Sequence, residues 1–513
     1  MKTVKDAAII KRDLPDILFD ESRFETGVPS LVAFPEDNDE LQSIIAEAVK
    51  NGKRITFIGA QTGTTGGAAP EDDTWAISFS AMNRIHRILW ENDDEPVLLC
   101  DPGITLEAIG RFLEDPPAWP YRVSGMEKLI PGAWCYSPDP TEMTAQLGGT
   151  VATNASGARS YRFGATRTHI ASLELILANG ENVVIERKNE RSGNWDRKLV
   201  TAAGTELTIP ELSYITSSVK NAAGYYSRPS MDPVDLFVGS EGTLAAIARI
   251  GIRLVPSVKI LSGLTFFPGM DEAFKFADFL RKVTSVAAIE FFDKGSLMFI
   301  DRYRMRLPDS IPEFSRDAAA AIFWEYIEDE EGQFEEIMDG WEEVLIECGS
   351  SFEETWSGFD ETEKERLHHF RHALPEMVNS VIAENKRIFP SIRKIGTDSA
   401  FPADRFYGCF GKMMELIKES GLTAAAFGHL GDYHIHVNLV PSGEEEYSAA
   451  LDLYARLMTI AVENGGTVSA EHGIGKIKKR YLHQMYGTEG IAAMRAVKAA
   501  LDPDGVFNPG NLF

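Results

Sequence analysis

Apolar positions in the first half of the chain recur in two rhythms. Glu40 to Val49 repeats them every three or four residues, the spacing of an amphipathic helix, and Ile55-Thr-Phe-Ile58 follows as a short β-type run entering Gly59. Val97-Leu-Leu-Cys100 reads as a strand ended at Pro102-Gly103, and Leu173 to Gly180 as a strand closed by an Asn-Gly turn. Ile247 to Val255 alternates as a strand does. After about Ser257 the texture changes to strand, long helix, strand, and acidic helices dominate between Glu328 and Glu365. That shift predicts a domain boundary.

Composition narrows the class. A chain of 513 residues, 44% of them hydrophobic, exceeds what one core supports and predicts two or three domains. The 51 Lys and Arg against 77 Asp and Glu give a net charge of −26, which opposes extended contact with nucleic acid or an anionic membrane surface. The four cysteines form no C-x-x-C pair and cannot supply an iron–sulfur centre, so reduced thiols are expected. Charges interrupt the N-terminus too early for a signal peptide, and no stretch approaches the roughly 18 apolar residues of a membrane span. A cytoplasmic protein, at most peripheral to a membrane, is expected.

Two kinds of cluster carry candidate chemistry. Gly59-Ala-Gln-Thr-Gly-Thr-Thr-Gly-Gly67 follows a strand directly, so its backbone N–H groups can form an anion-binding concavity, with Gly66 expected where phosphates approach. It fits neither G-x-G-x-x-G nor G-x-x-x-x-G-K-[ST]. Further glycine clusters span Gly148 to Gly157 and Gly239 to Thr243. In the second half, Gly428-His-Leu-Gly-Asp-Tyr-His-Ile-His436 places three of the ten histidines within eight residues, and Glu471-His472-Gly473 lies downstream. Two imidazoles and a carboxylate suit a divalent ion with positions left for substrate. His434 and His436 share a face if this segment is a strand, so His429 with His436 and His434 with His436 are both candidate ligand pairs.

The glycine clusters, with Ser137-Pro-Asp-Pro140 and Asp235 to Leu244, resemble the FAD-binding domain of the vanillyl-alcohol oxidase/p-cresol methylhydroxylase flavoproteins. Gly428-His-x-Gly-Asp432, His436, Glu471-His-Gly473 and Phe507-Asn-Pro-Gly510 resemble the C-terminal domain of FAD-linked oxidases, found in D-lactate, glycolate and D-2-hydroxyglutarate dehydrogenases. The resemblance implies an α+β protein. Residues 1–256 would form a two-subdomain FAD-binding domain, residues 257–484 an α+β cap with an antiparallel sheet and the metal site, and residues 485–513 a tail returning to the FAD domain.

It also implies site roles. FAD would be bound noncovalently, His169 and Cys135 being the nearest candidates for attachment. Its contacts would be Gly59, Ala60, Gln61, Thr62, Gly63, Gly66, Gly67, Pro138, Asp139, Gly148, Gly149, Thr153, Asn154, Gly157, Glu241, Ile247 and Asn508. His429, His436 and Glu471 would hold a divalent metal, zinc or manganese, with His472 as base. The usual Gly-Asn after Asp432 is here Tyr433-His434, and His434 is expected to line the substrate pocket as a second catalytic candidate. Arg371 and Lys394 would bind the substrate carboxylate, although Pro375 replaces a threonine and Lys394 is displaced, which weakens the case for a dicarboxylate. Lys220 to Tyr225 and Glu290 match as well and are read as structural.

The function implied is oxidation of a small D-2-hydroxy acid, of lactate, glycolate or 2-hydroxyglutarate type. A quinone, cytochrome, electron-transfer flavoprotein or oxygen would accept the electrons, and a homodimer is compatible with the sequence. The alternatives are a non-redox flavoenzyme resembling alkylglycerone-phosphate synthase, or an electron-transfer subunit, in which Glu471 and His472 would have no task.

Overall fold

The helical rhythm before the first glycine run becomes the helix Asn38–Lys50, started by Asp37, whose carboxylate accepts a hydrogen bond from Glu40 N. In this computed structural model, which describes residues 1–90, 95–187, 195–306, 311, 314–328, 333–358 and 360–513, the helix buries Leu41, Ile44, Ile45 and Ala48 against Ile55, Trp75 and Ile77. Those belong to a four-stranded sheet ordered Lys2–Lys5, Leu31–Phe34, Trp75–Ser78, Ile55–Ile58, its last three strands parallel. The parallel arrangement leaves the C-terminal end of Ile55–Ile58 opening into the glycine run. Ligands bind at such strand ends in open α/β sheets.

A second, antiparallel sheet is ordered Ile85–Trp90, Pro96–Cys100, Ala246–Arg253, Ile170–Ile176, Asn182–Glu186. Ala246–Arg253 arrives late in the chain yet sits centrally, so this subdomain is complete only when residues up to 253 are in place. Val255–Pro256 then pairs with Trp134–Cys135, and Ile260–Phe267 enters a different sheet.

That third sheet is antiparallel, running Thr355–Gly358, Ile260–Phe267, Ala320–Ile327, Val286–Asp293, Ala424–Gly428, His434–Leu439, Ile395–Gly396. Both faces are covered. Ile289, Phe291, Ile322 and Trp324 pack toward helices Met270–Leu280 and Phe406–Ser420, whereas Phe292, Ala321 and Phe323 pack toward Lys294–Arg302 and the long helix Glu361–Ile388. A sheet buried on both faces reads as continuous apolar runs, as Val286–Asp293 and Ala320–Ile327 do. Of the acidic stretch expected between Glu328 and Glu365, residues 329–332 and 359 lie outside the described residues.

The last helix, Lys479–Leu501, continues through the division expected at residue 485 and breaks at Gly487 (φ 65°, ψ −177°). Beyond it the tail rejoins the first domain, Ile55 N donating to Val506 O (2.7 Å) and Asn508 N to Ile55 O (2.8 Å). Among the described residues no helix is long and apolar enough to cross a membrane. All four cysteines are unpaired, and only Cys135 is partly accessible.

Candidate functional site

The glycine clusters converge through backbone conformation. A Cβ on Gly59 would stand 3.6 Å from Gln146 Oε1 and 3.9 Å from Gly149 Cα, and one on Gly67 3.8 Å from Gly475 Cα, so loops distant in sequence meet edge to edge. Gln61, Asn154, Glu241 and Asn508 all hold positive φ (60°, 51°, 53° and 41°), which is uncommon away from glycine and concentrates at functional sites. Gln61 is held there by Nε2 donating to Asp16 O at 2.7 Å. Asn154 ends the helix Leu147–Thr153 and accepts Arg167 N at 2.9 Å, while Thr153 Oγ1 donates to Gly149 O at 3.0 Å. Ala60 and Gly63 are exposed on the loop, Thr62 is half-buried, and Ile247 is buried within its strand.

Several of these positions also have contacts within the protein that account for their residue type. Gly66 has φ 73°, and a Cβ there would meet Phe24 Cδ1 at 2.8 Å, so the neighbouring ring and the left-handed backbone already exclude a side chain. Gly148 and Gly157 likewise face Pro102 and the Asp139 carbonyl, whereas nothing lies within 4 Å of a Cβ on Gly149. The Glu241 carboxylate, expected at the cofactor, accepts Ile474 N (2.6 Å) and Gly475 N (2.7 Å) and so fixes the loop after His472. Burial pushes its pKa up to about 7. Asn508 uses both ends of its amide, accepting Phe57 N and donating to Glu241 O, each at 2.7 Å. Asp139, beside Pro138, accepts Arg159 N at 3.1 Å and faces Arg371 at 3.7 Å. Buried among these groups, its pKa is raised to about 6.

The histidines are delivered by a strand pair. Ala424–Gly428 ends at His429, a single turn over Leu430–Asp432 follows, and His434–Leu439 returns antiparallel. Tyr433 makes the reversal at φ 53°, and the Arg281 guanidinium lies 4.1 Å over its ring. His429, His434, His436 and Glu471 each place a donor atom within 4.8 Å of all the others. The two ligand pairs left open by the sequence therefore belong to one cluster. Glu471 Oε2 stands 3.3 Å from His429 Nε2 and 3.6 Å from His436 Nε2, while Oε1 is held by Ser156 Oγ (2.9 Å) and the Lys220 ammonium.

Lys220 and Glu290, read from the sequence as structural, are part of this centre. Lys220 is buried between Glu471 and Asp432 and donates to Gly157 O at 3.1 Å. Glu290 Oε1 is 2.8 Å from His429 Nδ1, and Oε2 accepts from Arg371 Nε at 2.8 Å. Burial opposes that carboxylate's ionisation, but Arg371 and His429 prevail and hold it at about 2. Arg371 is thus no free surface cation; it faces Glu290 and Asp139. Lys394 has no ion pair among the described residues. Its side chain is reached by solvent yet ringed by protein, which lowers its ammonium to about 8.

Asp398, which the sequence did not single out, joins the two ends of the site. Fully buried, it accepts Ser469 Oγ (2.6 Å), Lys478 Nζ (2.8 Å), His472 N (3.0 Å) and Glu471 N (3.2 Å). Its carboxylate also stands 3.1 Å from His434 Nε2 and 3.4 Å from His472 Nδ1. Against burial, His472 and Lys478 hold it well below the ordinary aspartate range. His472 stacks on His436 (centroids 5.1 Å, 15°) with about a third of its side chain accessible, and crowding by protein lowers its pKa to about 4. His434 is completely buried, so it does not line an open pocket; burial, then the neighbouring His436, lower it to about 3.

The donor set fits a divalent cation. Donors ~2.1 Å from a tetrahedral ion stand ~3.4 Å apart, close to the spacing of the Glu471 oxygen and the two imidazoles. The loop geometry also fits a dinucleotide cofactor, with three glycine clusters turned toward one another at the end of a parallel strand.

Residues 29–119 and 123–186 match the FAD binding domain, and residues 258–512 match the C-terminal domain of FAD linked oxidases. The glycolate oxidase subunit GlcD of Bacillus subtilis is 27% identical over 494 residues, covering 95% of this chain and 89% of that protein. The D-lactate dehydrogenase of Archaeoglobus fulgidus is 25% identical over 484 residues, covering 94% and 91%. Substrate-bound p-cresol methylhydroxylase shares the fold, with a TM-score of 0.68 at 13% identity over 99% of this chain and 93% of that one. The chain therefore belongs to the FAD-linked oxidases and is an FAD-dependent oxidoreductase with a p-cresol methylhydroxylase-type flavin domain.

Proposed function

We propose that the protein oxidises a small D-2-hydroxy acid to the 2-oxo acid, with His472 as general base. The observation that carries this reading is the placement of His472. Asp398 faces Nδ1, the ring lies against His436 beside the Glu471 cluster, and its accessible edge is free to meet a substrate hydroxyl. The lowered pKa leaves the imidazole neutral, and Asp398, facing Nδ1, offsets part of that lowering by stabilising the imidazolium formed on proton transfer, as the orienting carboxylate of a catalytic triad does. Lys394, which has no ion pair among the described residues, supplies the cation for the substrate carboxylate, while Arg371 holds Glu290 against His429. Bound FAD supplies the hydride acceptor for the α-carbon hydrogen. His429, His436 and Glu471 would hold a divalent ion, which would supply Lewis acidity toward the substrate hydroxyl. Glycolate and D-lactate, the substrates in the relatives' names, support the class.

The test is anaerobic mixing of the yellow protein with D-lactate, L-lactate, glycolate and D-2-hydroxyglutarate, before and after treatment with a chelator. Flavin bleaching by a D-2-hydroxy acid, lost on chelation and restored by metal, is expected. If no 2-hydroxy acid bleached the metal-replete flavin, the reading would be wrong. Reoxidation by a quinone, cytochrome, electron-transfer flavoprotein or oxygen then identifies the acceptor.

A further inference from the structure

The cluster contains one imidazole more than a three-ligand centre needs. His434 is 0% exposed, and neither ring nitrogen has a hydrogen-bond partner, although Nε2 lies 3.1 Å from Asp398 Oδ1. A buried polar group left unpaired costs about 1–3 kcal/mol, so a fully enclosed imidazole with two such atoms calls for a partner. Its ring centroid is 4.3 Å from that of His436 and 5.4 Å from that of His429, and its donor atom is within 4.8 Å of those of His429, His436 and Glu471.

We propose that His434 is a fourth protein ligand, so that the ion is held by three imidazoles and one carboxylate, and that Asp398 orients His434 from behind. This rests on the metal reading above and deepens it. Asp398 suits the outer role, because metal-bound histidines commonly direct their second nitrogen at a carboxylate. A competing set, Asp398 with His436 and His472, also gathers within 4.8 Å, but Asp398 Oδ2 already accepts three hydrogen bonds, and Oδ1, which accepts Glu471 N, faces His434 Nε2 at 3.1 Å. Glu471, in contrast, has Oε1 fixed by Lys220 and Ser156 and Oε2 turned to the histidines.

The extra ligand has a chemical consequence. Four protein donors close a tetrahedral zinc site, whereas a six-coordinate ion keeps two positions, the number that a chelating 2-hydroxy acid requires. With all four side chains bound, a chelating substrate fits only an ion that expands to six-coordination, as manganese does.

X-ray absorption at the metal edge of the FAD-loaded protein, reconstituted with manganese, counts the bound imidazoles. Three are expected in the parent and two in His434→Asn, with metal affinity at least tenfold weaker in the variant and bound flavin unchanged. Two imidazoles in the parent would overturn the fourth ligand while leaving the metal reading intact, and that count stands even if the variant does not fold. An equal count in parent and folded variant would also overturn it. Failure of the parent to bind any divalent ion would overturn both.

Discussion

The glycine loops and the histidine cluster are built from opposite materials. Around Gly59 to Gly67 the surface is largely backbone, with side chains absent or held at unusual φ angles, as at Gly66, Gln61, Glu241 and Asn508. Around His429 to His436 the working surface is side chain, and ionisable groups from five distant segments (Lys220, Glu290, Asp398, His429 and Glu471) are buried in mutual contact. The first region should tolerate chemical change better than conformational change. The second should show the reverse.

The sharpest break of that contrast is His472→Ala. Flavin reduction by substrate should fall roughly 10²- to 10⁴-fold, as for a lost general base, with FAD content and melting temperature close to the parent's. Parental reduction rates in stopped flow would remove His472 from the mechanism. Lys394→Met comes next: loss of a charge-assisted contact worth about 1.5–3 kcal/mol should raise KM by about 10- to 100-fold and leave kcat much less changed. An unchanged KM for every 2-hydroxy acid would place the carboxylate elsewhere.

In the backbone-built region, Gly66→Val and Gly149→Ala form a matched pair. The first places a β-branched residue at φ 73° against Phe24, so it should destabilise the protein by at least about 1–2 kcal/mol and weaken FAD binding with it. The second meets no protein atom within 4 Å, and alanine suits a helix better than glycine by about 0.5–1 kcal/mol. Its stability should be equal or higher, so any lost flavin, read as the ratio of flavin to protein absorbance, reports direct approach of the cofactor. Full occupancy in Gly149→Ala would remove that helix from the flavin site.

The smallest effect concerns Glu241. Its folded pKa near 7 lies above the ordinary glutamate value of 4.5, so the folded state retains the proton longer than the unfolded chain. The associated stability is complete below about pH 4.5 and is lost as pH rises toward 7, at up to about 1.4 kcal/mol per pH unit. Glu241→Gln should flatten that portion of the stability profile, as measured by urea unfolding between pH 4.5 and 7.5. An identical slope in both proteins would show that Glu241 titrates normally.

Much of this was legible in the chain. Strands such as Ile55–Ile58 and Ala246–Arg253, the helix Asn38–Lys50 and the change of texture after Ser257 follow from periodicity, which acts over a few residues. So did the glycine loops and the histidine motif, because spacing along a strand or turn is a local property. Tertiary structure alone decided how those pieces are used. His434 and His429 looked like rivals for one ligand position until a single reversal at Tyr433 brought both to the same carboxylate. The Glu241 carboxylate holds the Ile474–Gly475 backbone, and Lys220, Glu290 and Asp398 acquired their places only through partners some 40 to 250 residues away. The physical reason is that the protonation and task of an ionisable side chain depend on its burial and on the charges within a few ångströms. No window of sequence contains either.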